Sequence, residues 1–94
     1  MQKYEFILSK QLLRSGTAIG ALVKEAEHAQ SKADFINKMS IALKEANETD
    51  YWIILLNESG YINEKYFNTL NSNCKEVIRI LASIVKTSRY KYTK

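Results

Sequence analysis

The sequence predicts an all-α protein, an antiparallel up-down bundle of three long helices, and three observations predict it. Apolar residues recur at alternating spacings of four and three through each third of the chain, proline is absent, and glycine occurs only at Gly16, Gly20 and Gly60. The spacing gives each helix a face to bury, and the scarcity of breakers leaves few places where a helix must stop. The 94 residues form one domain, 1–94, because a chain of this size supports a single modest core. There is no sign of a strand, a long linker or a repeat of fixed length.

The first helix, about 5–29, carries the stripe Leu8, Leu12, Ser15, Ile19, Leu22 and Ala26. Ser9 behind Ile7 and Leu8 is a candidate N-cap, with a start at Tyr4 as the alternative. Within it, "RSGTAIGAL" at 14–22 strips one side to small residues. Each glycine costs roughly 1 kcal/mol against alanine, which the close approach of another helix at Gly16 and Gly20 would offset. A backbone surface offered to a ligand is the other reading.

The second helix, about 32–59, opens at Ser31, with Asp34 three residues on suiting the positive helix end. Its stripe is Phe35, Met39, Ala42, Ala46, Thr49, Ile53 and Leu56, and "ESGYINE" at 58–64 stops it through a left-handed Gly60. Asn63 caps the third helix, about 64–88, whose stripe is Phe67, Leu70, Cys74, Val77, Leu81 and Ile84. Connections this short make sequential helices antiparallel neighbours.

The charge is uneven. The net value is +4, but residues 75–94 alone sum to +5. The basic tail, 86–94, interleaves Lys86, Arg89, Lys91 and Lys94 with Tyr90 and Tyr92, and Lys75 and Arg79 carry the charge back along the third helix. Cations attract phosphates and tyrosine rings offer stacking faces, so RNA or DNA is the functional reading of this end; a solvated, frayed terminus is the bland one. No apolar run approaches a membrane span or a signal-peptide core, and the single Cys74 agrees with a reducing cytoplasm.

A catalytic reading finds little to stand on. Glu45 and Glu48 supply one carboxylate pair of the kind that holds metal in helical bundles, but the only histidine, His28, has no glutamate three residues before it. Cys74 lies on an apolar stripe and reads as a buried, inert thiol. The expectation is therefore no enzyme, no metal and no cofactor. On a helical wheel Glu45 and Glu48 flank the second helix, whereas Asp50 falls within the apolar arc and needs a partner, for which Arg14 is the candidate in a buried ion pair. Ile41, Trp52 and Leu55 point away from the main stripe; that surplus apolar surface predicts a homo-oligomer, with Ile41, Trp52, Leu55, Gly16 and Gly20 as its interface candidates.

Three stretches carry a family resemblance: "QLLRSGTAIGA" at 11–21, "SKADFINKMSIALKEANET" at 31–49 and "SGYI" at 59–62. The chain resembles the small four-helix-bundle proteins first noticed in intervening sequences of bacterial 23S ribosomal RNA genes. The resemblance implies a helical bundle in a bacterial cytoplasm that assembles into homo-oligomers, typically pentamers. It also implies nucleic-acid association, since a relative serves as accessory protein to the reverse transcriptase of diversity-generating retroelements. It transfers no catalytic residue. Such proteins usually carry a further helix before the segment resembling "YEFILSKQLL", so three of four helices are expected here and the assembly is expected to be altered. The leading function is a non-enzymatic, self-associating bundle that binds RNA or DNA through its basic third helix and tail. The alternative is a protein–protein scaffold or adaptor with no nucleic-acid role.

Overall fold

Ser31 shows how local chemistry sets the helix boundaries. Its extended backbone (φ −156°, ψ 169°) turns its hydroxyl toward the next helix, where it accepts from the Asp34 N–H at 3.1 Å. Asp34 answers by accepting from the Gln30 N–H at 3.3 Å, so two donors at a helix start are satisfied together. The structure, a computed structural model, describes residues 3–93, with side chains described through residue 91. It contains α1 (Lys3–Glu27), α2 (Lys32–Glu58) and α3 (Glu64–Thr93), and no strand among the described residues.

The α2–α3 connection is a Schellman turn. Gly60 takes φ +78°, its N–H donates to Asn57 O at 3.0 Å, and the Tyr61 N–H reaches back to Leu56 O at 3.0 Å. Asn63 then caps α3, its Oδ1 accepting from the Tyr66 N–H at 2.8 Å. Two sequence expectations change. Ser9 is no cap, because α1 is helical from Lys3, six residues before it. The segment 86–93, read as a tail, continues α3 to Thr93, since nothing after Gly60 breaks a helix and cations near a helix C-terminus are favourable.

Cross-links fix the topology. Arg14 meets Glu48 while Lys38 meets Glu25, so α1 and α2 are antiparallel; Lys75 meets Asp50 while Arg89 meets Ser40, so α2 and α3 are antiparallel too. Both outer helices pack on α2, and nowhere do the described backbones of α1 and α3 come within 8 Å, Cα to Cα. The result is a slab of 49 × 21 × 15 Å with α2 as its spine.

The core follows from this. Ala26, Met39, Ala42, Ala46, Leu81 and Val85 form one buried cluster. The alanines at 42 and 46 let the two outer helices approach α2 closely, as small side chains at a helix crossing do. Polar groups at the α1–α2 seam are satisfied internally. The Ser15 and Thr49 hydroxyls lie 2.8 Å apart, with Ser15 also able to donate to Leu12 O and Thr49 to Glu45 O.

Candidate functional site

α3 presents two chemically different faces. At about 100° per residue, Lys75, Arg79, Lys86, Arg89 and Tyr90 share an arc of about 100°, whereas Leu70, Asn73 and Val77 lie roughly opposite. All five residues of the first set are exposed.

The basic face is partly neutralised at its N-terminal end. Lys75 Nζ donates to Asp50 Oδ2 at 2.9 Å, and Arg79 pairs with Glu76 one turn away. The hydrogen bond from Arg79, and then its charge, hold the Glu76 carboxyl below the usual range, and the same bond raises Arg79. Toward the C-terminal end come Lys86, Arg89 and Lys91, in a stretch of sequence with no acidic residue after Glu76. Arg89 donates to Ser40 Oγ at 3.1 Å, which ties this end of α3 to α2. Lys91 and Lys32 line a small hollow of about 190 Å³ with Phe35, Ile36 and Ser88. The side chain of Tyr92, and Lys94, lie outside the described residues.

Opposite the basic face is an apolar trough of about 430 Å³. Its α1 wall is Leu12, Leu13, Gly16, Thr17 and Ile19, its α3 wall is Leu70, Asn73, Cys74 and Val77, and its floor is Thr49 and Ile53 of α2. The expected close helix contact at the glycines is absent within the chain. A Cβ built on Gly16 or Gly20 meets nothing within 4 Å, because the third element of the slab lies across α2 rather than against α1.

The proposed Arg14–Asp50 pair is also corrected. Arg14 is bound by Glu45, at 3.4 Å, and by Glu48, and its side chain is about half exposed. Positions 45 and 48 face α1, whereas Asp50 turns toward α3 and takes Lys75 instead. Its other oxygen, Oδ1, is buried without a hydrogen-bond partner. Cys74 follows its predicted stripe: the thiol is buried, donates to Ala46 O at 3.4 Å, and has its pKa raised by burial first and by the Asp50 charge second. Of the outward-facing apolar residues, Ile41 is exposed and Trp52 and Leu55 are half-buried. Trp52 donates to Glu48 Oε1 at 3.3 Å and meets Tyr51 edge to face at 5.1 Å. Neither that ring pair nor the trough stood out in the sequence. Leu12, Ile19, Leu70, Cys74 and Val77 of its walls belong to the stripes read from the sequence, but periodicity alone does not show that the two walls stand apart.

Among the described residues no three His, Cys, Asp or Glu side chains gather as a metal site, and no helix is long and apolar enough to cross a membrane. The fold defines a small helical-bundle protein with a basic face and an apolar trough. Residues 1–83 match the family model of the 23S rRNA-intervening sequence protein, and the chain belongs to that family. It is similar to a solved structure from Bacteroides thetaiotaomicron described as a protein of unknown function from the S23 ribosomal protein family. The two share 55% identity and a TM-score of 0.83 over 85% of this chain and 71% of that one. No curated protein matches.

Proposed function

We propose that this protein is a non-enzymatic, self-associating helical bundle of the cytoplasm that binds RNA or DNA along the basic face of α3. The observation that carries the reading is the alignment of Lys75, Arg79, Lys86 and Arg89 on one exposed face, continuing into a stretch, 77–94, with five basic and no acidic residues. A line of cations along a rigid helix suits the regular charge of a nucleic-acid backbone and reads no sequence by itself. Tyr90, exposed on the same face, adds a ring on which a base can stack. Self-association draws on the exposed apolar residues of both broad faces, Leu13 and Ile41 among them.

The test is fluorescence anisotropy with labelled single-stranded RNA and duplex DNA over a salt series. Replacing Arg79, Lys86 and Arg89 together by alanine should weaken binding and flatten the slope of log K against log salt by about 2–3. Absence of binding at low salt, or equal binding by the variant, would remove the nucleic-acid role. The second reading, a protein scaffold, rests on the trough and on the Tyr51–Trp52 pair. Apolar association of that kind should persist as salt rises.

A further inference from the structure

We infer that the hollow between the start of α2 and the end of α3 holds the terminal nucleotide of a nucleic-acid strand, with its phosphomonoester set between Lys32 and Lys91. The inference rests on the nucleic-acid binding proposed above and names the part of the strand that this end of the molecule takes.

The hollow, of about 190 Å³, is lined by Lys32, Phe35, Ile36, Ser88 and Lys91. The bond from Arg89 to Ser40 holds the last turns of α3 against the first turns of α2, and so keeps the two walls together. Lys32 and Ile36 are four residues apart and Ser88 and Lys91 three, so each pair shares one side of its helix. The lining divides by chemistry. Two ammonium groups and a hydroxyl can donate to an anion, half-buried Phe35 and Ile36 form an apolar wall, and no carboxylate takes part. Asp34, the nearest acidic residue in sequence, lies about 160° round α2 from Ile36, where its carboxylate accepts from the Gln30 N–H. Cations beside an apolar wall suit an anion joined to a ring, and offer nothing to a cation.

Charge selects among such anions. A phosphodiester within a strand carries one negative charge, whereas a phosphomonoester carries about −1.5 to −2 near pH 7. Two lysines in one hollow match the monoester, which a strand has only at an end. The volume is small beside the roughly 300–1,000 Å³ of pockets for drug-sized ligands. It therefore suits a strand end, phosphate on the lysines and sugar or base against Phe35, better than a larger ligand held whole. The path to the hollow is continuous. Arg89, Tyr90 and Lys91 are consecutive, and each step turns about 100° round α3. They lead from the basic face, across Tyr90, to the hollow on the other side, so a strand lying along Lys86 and Arg89 can place its end there.

Fluorescence anisotropy with a short single-stranded RNA of one sequence tests this. The strand is compared with a 5′-phosphate and a 5′-hydroxyl, labelled at its 3′ end, and with a 3′-phosphate and a 3′-hydroxyl, labelled at its 5′ end. At neutral pH and low salt the wild-type chain should bind a phosphorylated end about tenfold more tightly than the matching hydroxyl end, and the end preferred gives the polarity of the bound strand. Lys32→Ala combined with Lys91→Ala should abolish the preference. Ser88→Phe fills the hollow and keeps every charge, so it should abolish the preference too, with helical content checked by circular dichroism. Lys86→Ala, on the basic face, should weaken binding of every strand and keep the ratio. Failure of all the strands to bind at low salt sinks the nucleic-acid role, and this site with it. Strands that bind without regard to a terminal phosphate, or a preference that survives in either hollow variant, overturn the hollow while binding along the basic face stands.

Discussion

Cys74 and Asp50 are neighbours whose chemistry is coupled. Burial and the Asp50 charge raise the thiol pKa from its ordinary 9.0, while Lys75 pulls the other way. The unfolded chain therefore loses this proton first as pH rises. The stability contributed by the neutral buried thiol is complete below 9.0 and is lost as pH climbs from there toward the folded value. Urea midpoints measured across this alkaline window should fall more steeply for the wild-type chain than for Cys74→Ala, and Asp50→Asn should lessen the fall by removing the second cause. Equal slopes for wild type and Cys74→Ala would refute the coupling. That Cys74 is a buried thiol was legible from its place on an apolar stripe. The partner of Asp50 was not. A helical wheel gives the direction of a side chain about its own axis, and Asp50 lies about 100° round from Thr49, which faces α1. Which neighbour occupies that direction is a tertiary fact, and it is α3, so Lys75 rather than Arg14 answers the carboxylate.

At the scale of the helix, the end signals were legible because they are local. Ser31, Asn63 and Gly60 act through hydrogen bonds that close within five residues, so their chemistry is contained in the string of letters. Ser9 failed as a cap for a reason of the same kind: a serine offers a cap only where a helix begins, and α1 begins earlier. The glycines of α1 give a prediction at this scale. Gly20 is helical, exposed and open to a Cβ. Gly20→Ala should therefore stabilise the chain by about 1 kcal/mol, seen as a rise of about 4–8 °C in Tm. A fall in Tm in a thermal melt of the monomeric chain would show that something covers that side of α1.

The whole molecule is where sequence reasoning reached least far. Three stripes of one period, joined by short connections, fixed the number of helices and their alternation. They did not reveal that α1 and α3 share α2 without approaching each other, because periodicity shows that a helix has a face to bury and not which helices bury it. The shared spine has a consequence for how the fold opens. Among the described residues, the close helix–helix backbone approaches belong to two hairpins, α1 with α2 and α2 with α3, which share α2. Structures coupled through nearest neighbours open in parts rather than all at once. Native-state hydrogen exchange should then find α2 the most protected helix, with α1 and α3 opening separately below it. Ser15→Ala, which loosens the α1–α2 seam by about 1 kcal/mol, should speed exchange in α1 about fivefold and leave α3 unchanged. Equal acceleration in all three helices would mean that the chain opens as one unit. If the opening is separate, either outer helix can detach while the other hairpin persists, and a chain of this size holds a folded remnant from which the lost helix re-forms.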